Sequence, residues 1–294
     1  MAFQQHKRDV LSKLQQDIPK ALMLDALSRL ASGPELVGKD EFMDTYLPLA
    51  HLIRRRLGAA PAGAPLLIGL AGSVAVGKST VAKILQQALA SWPEHPEVVL
   101  VNSDGFLFPN AELERRGLME RKGFPESYDW RGLVNFLMRL KQGEPGVTAP
   151  IYSHVTYDVL PDQGQVIQKP GIVILEGVNV LQRPFLDAAN NLPFPSDIFN
   201  YTIYVHAEEA LIKQWYEARF LALIEASEND TQSFYSRFAP LTLEQRRAVV
   251  DFVWTTINGK NLIDHILPTQ TVADLIIHKG EGHVITRFET RHPV

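Results

Sequence analysis

Gly72-Ser73-Val74-Ala75-Val76-Gly77-Lys78-Ser79-Thr80 matches the phosphate-loop pattern G-x-x-x-x-G-K-[ST] at every fixed position. The flanks supply the context this motif needs. Leu66-Leu-Ile-Gly-Leu-Ala71 before it is a continuous apolar run of strand length, and Val81-Ala-Lys-Ile-Leu-Gln-Gln-Ala-Leu89 after it has helical spacing. The glycines let the backbone curl so that several N–H groups converge on phosphate oxygens, and the helix N-terminus adds positive potential. Lys78 is placed to reach the β- and γ-phosphates, and the Ser79 hydroxyl to ligate Mg²⁺. The expected ligand is a nucleoside triphosphate, with the whole stretch from Gly72 to Thr80 lining its phosphates.

Composition narrows the remaining classes. The chain has 294 residues, enough for one large or two small domains, with 46% hydrophobic and 21% charged residues. A formal net charge of −4 is the wrong sign for a dedicated nucleic-acid binder. Zero cysteines exclude disulfides, thiolate metal sites and thiol catalysis. The first residues hold no apolar signal-peptide core, and no apolar run nears the ~20 residues a membrane span needs. A cytoplasmic protein without membrane or nucleic-acid partners is the expectation.

Working outward from the loop, helical periodicity covers residues 8–31 and 39–57, with Ser32-Gly33-Pro34 between them and Pro48 expected to kink or break the second. Ala59-Ala-Pro-Ala-Gly-Ala-Pro65 reads as a linker. These stretches form an expected N-terminal helical extension over 1–60, ahead of a kinase-like domain over 66–294, in one compact unit. Beyond the loop, strand candidates fall at residues 97–102, 171–175, 199–205, 272–277 and 284–288, a helix at 130–141, and helices through most of 208–257. Segments 147–152 and 166–168 suggest a small hairpin or flap. Strands alternating with helices specify an α/β fold with a doubly wound, mainly parallel sheet, and the phosphate loop makes the P-loop NTPase or kinase type the expectation.

In such folds ligands sit outside the carboxyl ends of the strands. Two further strands end there in acids. Val98-Val-Leu-Val-Asn102 leads to Ser103-Asp104-Gly105, and Ile172-Val-Ile-Leu175 leads to Glu176-Gly177. Each acid alone could be a turn residue. Beside a phosphate loop they also fit phosphoryl transfer, which needs clamped phosphates, a metal and a group that takes the proton of the acceptor hydroxyl. Asp104 is the candidate for that proton, and Glu176 for holding Mg²⁺ through water. Tyr152-Ser153-His154 lies in the flap. On the helix of Trp215-Tyr216-x-x-Arg219-Phe220, Arg219 is one turn beyond Tyr216 and is a candidate cation for the transferring phosphoryl group.

With those residues in place, the chain resembles the bacterial type I pantothenate kinases of the P-loop kinase superfamily. The likeness rests on Tyr46-Leu-Pro-Leu49, the phosphate loop, Asp104-Gly-Phe-Leu-x-Pro-Asn110 and Arg116-Gly-Leu-Met. It continues through Lys122-Gly-Phe-Pro-Glu-Ser-Tyr-Asp129, Thr148-Ala-Pro-Ile-Tyr-Ser-His154 and Ile174-Leu-Glu-Gly-Val-Asn-Val-Leu181. Trp215-Tyr-x-x-Arg-Phe220, Asn261-Leu and Ile266-Leu-Pro-Thr269 complete it. The resemblance implies ATP-dependent phosphorylation of the primary hydroxyl of pantothenate, the first step toward coenzyme A. It also implies a cytoplasmic homodimer inhibited by coenzyme A in competition with ATP. Carried over, Asp104 is the acid/base; Lys78, Ser79 and Arg219 serve phosphates and metal; Tyr152, His154, Tyr216 and Asn261 hold pantothenate; His283 lies near the adenine.

Some positions depart from the family pattern. Leu223 and Glu228 stand where phenylalanines line the pocket for the inhibitor's thiol end, Lys83 replaces an arginine that grips coenzyme A phosphates, and Gly259-Lys260 replaces a bulkier apolar pair. These changes imply an intact catalytic set with weakened coenzyme A feedback or an altered acceptor pocket. A kinase for another small hydroxylated acceptor and a non-catalytic nucleotide or coenzyme A sensor stay open as alternatives.

Overall fold

The computed structural model describes residues 3–7, 9–32, 36–58, 63–94, 97–183, 193–228, 230 and 232–294. Residues 33–34 of the Ser-Gly-Pro break and 59–62 of the linker lie outside them. At the centre is the apolar run read from the sequence, now β2 (Leu66–Gly72), buried at every position. Strands buried on both faces need no polar alternation, which is why β2 and β6 (Ile172–Gly177) read as continuous apolar runs. They pair in parallel, as do β3 (Val98–Asn102) with β6, β2 with β7 (Tyr201–His206), and β7 with β8 (Leu275–Lys279). β9 (Ile285–Thr290) returns antiparallel to β8.

The full order is β1-β9-β8-β7-β2-β6-β3, and a separate hairpin joins β4 (Val147–Ser153) to β5 (Asp158–Ile167) as the expected flap. β1 (Gln4–Lys7) pairs antiparallel with β9 at the edge of the sheet. Its Gln-Gln-His-Lys sequence has no apolar alternation, so nothing local marks it as a strand. Backbone pairing with β9 and stacking of His6 on Phe288, centroids 5.0 Å apart, hold it there.

Helices α1 (Asp9–Gln16) and α2 (Lys20–Ser32) divide at Pro19, and α3 (Leu47–Leu57) packs with α2 against α4 (Lys78–Leu89), the helix that follows the phosphate loop. Pro48 does not break its helix. A wide π turn over Phe42–Tyr46 precedes it, with the Leu47 N–H reaching the Phe42 carbonyl, so the N–H that proline lacks falls in the first turn of α3. α5 (Trp130–Lys141) begins at Asp129, whose side chain accepts from the Gly132 N–H. α6 (Glu209–Ala226) carries the Trp-Tyr-x-x-Arg cluster. α7 (Leu243–Val253) starts at a capping box of Thr242 and Gln245, then runs on through two π turns, Trp254–Asn258 and Leu262–Ile266.

Candidate active site

Three strand ends line one side of a cleft. β6 lies between β2 and β3, so Glu176 stands between the phosphate loop and the turn Ser103–Phe106 that carries Asp104. In the loop, Gly77 caps α4 with φ +89°, and a Cβ there would lie 2.7 Å from Lys279 Nζ. Lys78 is buried and donates to the Ser73 carbonyl at 2.9 Å. Burial lowers its pKa, while the charges of Glu176 and Asp104 oppose that shift and Arg219 adds to it. The same groups therefore share one electrostatic neighbourhood.

Ser79 Oγ donates to Glu176 Oε1 at 2.8 Å, and Asn102 Nδ2 donates to the same oxygen at 3.1 Å. Burial raises the pKa of Glu176, with Lys78 pulling the other way. The Ser79 hydroxyl and the Glu176 carboxylate are hard oxygen donors side by side, which is the chemistry Mg²⁺ accepts when phosphate oxygens complete its shell. Among the described residues no group of three His, Asp or Glu side chains could hold a metal by itself.

Asp104 is fixed twice. Its N–H donates to Asn102 Oδ1 at 2.7 Å, and its Oδ1 accepts from the buried Tyr128 hydroxyl at 3.2 Å. Burial and the adjacent Asp104 charge push that phenol well above its ordinary value, so Tyr128 stays a donor. Burial lowers the His154 pKa, with the charge of Asp104 opposing the shift and those of Arg219, Lys122 and Lys78 adding to it. The flap has thus folded over the strand ends. Lys122 pins it, donating to Asn110 Oδ1 at 2.6 Å and the Tyr157 carbonyl at 2.5 Å, with its ammonium 4.1 Å from the Tyr157 ring centroid. Burial lowers the Lys122 pKa to about 8, against the pull of Asp158 and Asp104.

An unbroken chain of ring contacts forms the far wall. It runs from Trp254 to Tyr216 and Phe220, on to Tyr235, Phe238 and Phe234, and across a 4.3 Å stack to Tyr157, Tyr152 and His154. Arg219 is exposed on the same helix as Tyr216. On the opposite flank of the loop His283 stacks on Trp215 at 3.8 Å, and its Nδ1 would lie 3.6 Å from a Cβ on Gly77.

Asn261 lies between the two π turns that follow α7. It is buried, its Nδ2 donates to the Gly123 carbonyl at 2.8 Å, and its Oδ1 has no partner. Three positions earlier, Asn258 hydrogen-bonds the Tyr216 side chain from within the first π turn. Lys83 and Glu228 are exposed and Leu223 is half-buried.

Residues 67–192 match the phosphoribulokinase / uridine kinase family. A pantothenate kinase of Brevibacillus brevis is 44% identical over 97% of this chain and 94% of its own length. One of Shewanella oneidensis is 46% identical over 95% of this chain and 93% of its own. The chain belongs to the pantothenate kinase family. Among solved structures, one from Silicibacter sp. TM1040, named for a fructose transport system kinase, superposes with a TM-score of 0.54 and 25% identity, over 70% of this chain and 93% of that one. The α/β fold with its mainly parallel sheet is the P-loop kinase fold.

In this pantothenate kinase chain the fold brings Lys78 of the phosphate loop, Asp104, Glu176, His154 and Arg219 into one electrostatic neighbourhood. Lys122 and Tyr128 lie in a motif visible in the sequence, but nothing local says that Tyr128 donates to Asp104 or that Lys122 pins the flap. Asn258, Phe234, Tyr235 and Phe238 carry no sequence signal at all, because their role comes only from the turns that bring them to Tyr216 and Tyr157.

Proposed function

We propose that the chain transfers the γ-phosphoryl group of ATP to the primary hydroxyl of pantothenate, the first step of coenzyme A biosynthesis, with ATP and Mg²⁺ as cofactors. The relatives' shared name and the near-complete overlap with them support the substrate. The observation that carries the chemistry is Asp104 at the end of β3, with one carboxylate oxygen held by Tyr128 and the charge of Lys78 close by. Its second oxygen is left to accept the proton of the acceptor hydroxyl as the new P–O bond forms.

The phosphate loop from Gly72 to Thr80 binds the triphosphate through its N–H groups, and Lys78 moves with the γ-phosphoryl. Arg219 offsets the charge that develops on it. Ser79 and Glu176 hold Mg²⁺, which when bound neutralises phosphate charge. Tyr152, His154 and Tyr216 line the acceptor with the aromatic wall, where a neutral His154 is a donor and acceptor without adding charge. Asn261 shapes the acceptor side from behind through Gly123, and His283 with Trp215 supplies a flat surface for the adenine. Each role is open to substitution.

Replacing Asp104 by Asn tests the reading. Turnover of ATP with pantothenate is expected to fall by about 10²–10⁴-fold, with ATP affinity nearly unchanged. A wild-type chain that turns over uridine or another hydroxylated acceptor but not pantothenate would reassign the substrate. One that turns over none would be a sensor. A homodimer and inhibition by coenzyme A, weakened by Leu223, Glu228 and Lys83, belong to the same reading. Sedimentation and titration of coenzyme A against ATP turnover decide them. Among the described residues no helix is long and apolar enough to cross a membrane.

A further inference from the structure

Asn102 is the last residue of β3 and lies opposite Glu176 in the parallel register of β3 and β6. Its two amide atoms face in two functional directions. Nδ2 donates to Glu176 Oε1 at 3.1 Å, and Oδ1 accepts the Asp104 N–H at 2.7 Å, capping the turn Ser103–Phe106. A single planar group thus holds the carboxylate on the metal side and the backbone of the residue on the proton-accepting side. No hydroxyl or carboxylate side chain offers a donor and an acceptor on two separate atoms at that spacing.

The two acids carry like charge and stand on neighbouring strand ends around Lys78, so repulsion favours their separation. Ser79 and Asn102 both engage Oε1 of Glu176, which leaves Oε2 free of protein hydrogen bonds among the described residues. Anchoring one oxygen fixes the direction in which the other faces.

We propose that Asn102 is a positioning residue that sets the metal carboxylate and the proton-accepting carboxylate at a fixed separation, acting through Glu176 and Asp104 and touching neither substrate. The proposal rests on the kinase reading above and adds a residue to it. Its test uses Asn102→Ala and Asn102→Leu, the second keeping the branching and number of side-chain heavy atoms while removing both polar groups.

Two measurements read the effect. The first is the Mg²⁺ concentration that gives half of the ADP-linked rise in melting temperature, expected to increase about tenfold, while ADP binding in EDTA is unchanged. The second is turnover, where kcat is expected to fall about 10–100-fold with KM for pantothenate within about twofold. In a Glu176→Ala background the same Asn102 substitutions should change the Mg²⁺ requirement little, because the partner they act through is gone. Wild-type Mg²⁺ linkage in both variants, or losses that add fully in the Glu176→Ala background, would overturn the proposal. A wild-type protein inactive on pantothenate would sink the substrate reading, while the Mg²⁺·ADP arm would still decide the part played by Asn102.

Discussion

Lys279 ends β8 with its ammonium against the phosphate loop, and burial pulls its pKa from 10.5 down to about 8 despite the charge of Glu41. The sign follows from proton counting. Between pH 8 and 10.5 the unfolded chain holds more protons at this residue than the folded one, so stability rises with pH across that window. Below pH 8 the buried charge is a full cost, on the order of 3 kcal/mol. Lys279→Met is therefore expected to raise the melting temperature at pH 7 and to lose that advantage by about pH 10.5. A nucleotide's phosphates would restore the charge, so ATP binding near pH 8 is expected to take up more protons in the wild type than in Lys279→Met. Calorimetry in buffers of different ionisation enthalpy reads the difference. A buffer dependence of the binding heat that is the same in both proteins would rule this out.

Where β6 meets the turn after β3, Gly177 packs directly against Ser103. A Cβ on Gly177 would fall 1.7 Å from Ser103 Oγ and 2.8 Å from Ser103 Cβ, so the residue after Glu176 has to be glycine while Ser103 keeps its side chain. Gly177→Ala is expected to destabilise by about 1–3 kcal/mol or more through overpacking, and Ser103→Gly in the same chain to recover much of it. Denaturant melts of the two variants check this, and no recovery in the double variant would place the strain elsewhere. The strands themselves were legible because interior parallel strands need apolar residues on both faces, which leaves an unmistakable run. The flap was legible as a hairpin, but not its closure over Asp104. That closure depends on Lys122 meeting Asn110 and the Tyr157 carbonyl, three residues whose types permit many other partners. The two asparagines near the second π turn illustrate the same limit. A helix with wider turns shifts side chains off the 3.6-residue period, so nothing in the spacing shows that Asn258 reaches Tyr216, and Asn261 was named only through the family resemblance.

At the level of the whole molecule, the loop and the two acids could be placed in one cleft because strand ends of this fold converge by topology. The edge strand β1 could not, since its residues carry no pattern and only β9 makes it a strand. That pairing also brings the two ends of the described chain together, with Gln4 opposite Thr290 in the register. The backbone is therefore nearly a closed ring with its opening on the edge farthest from β3. A short linker across that opening, with new ends cut at the exposed turn around Lys169, would reorder the sequence and leave every contact of the cleft in place. Such a rearranged chain is expected to bind Mg²⁺·ATP as the original does, and its affinity would report how little of the site depends on the order in which its pieces are synthesised.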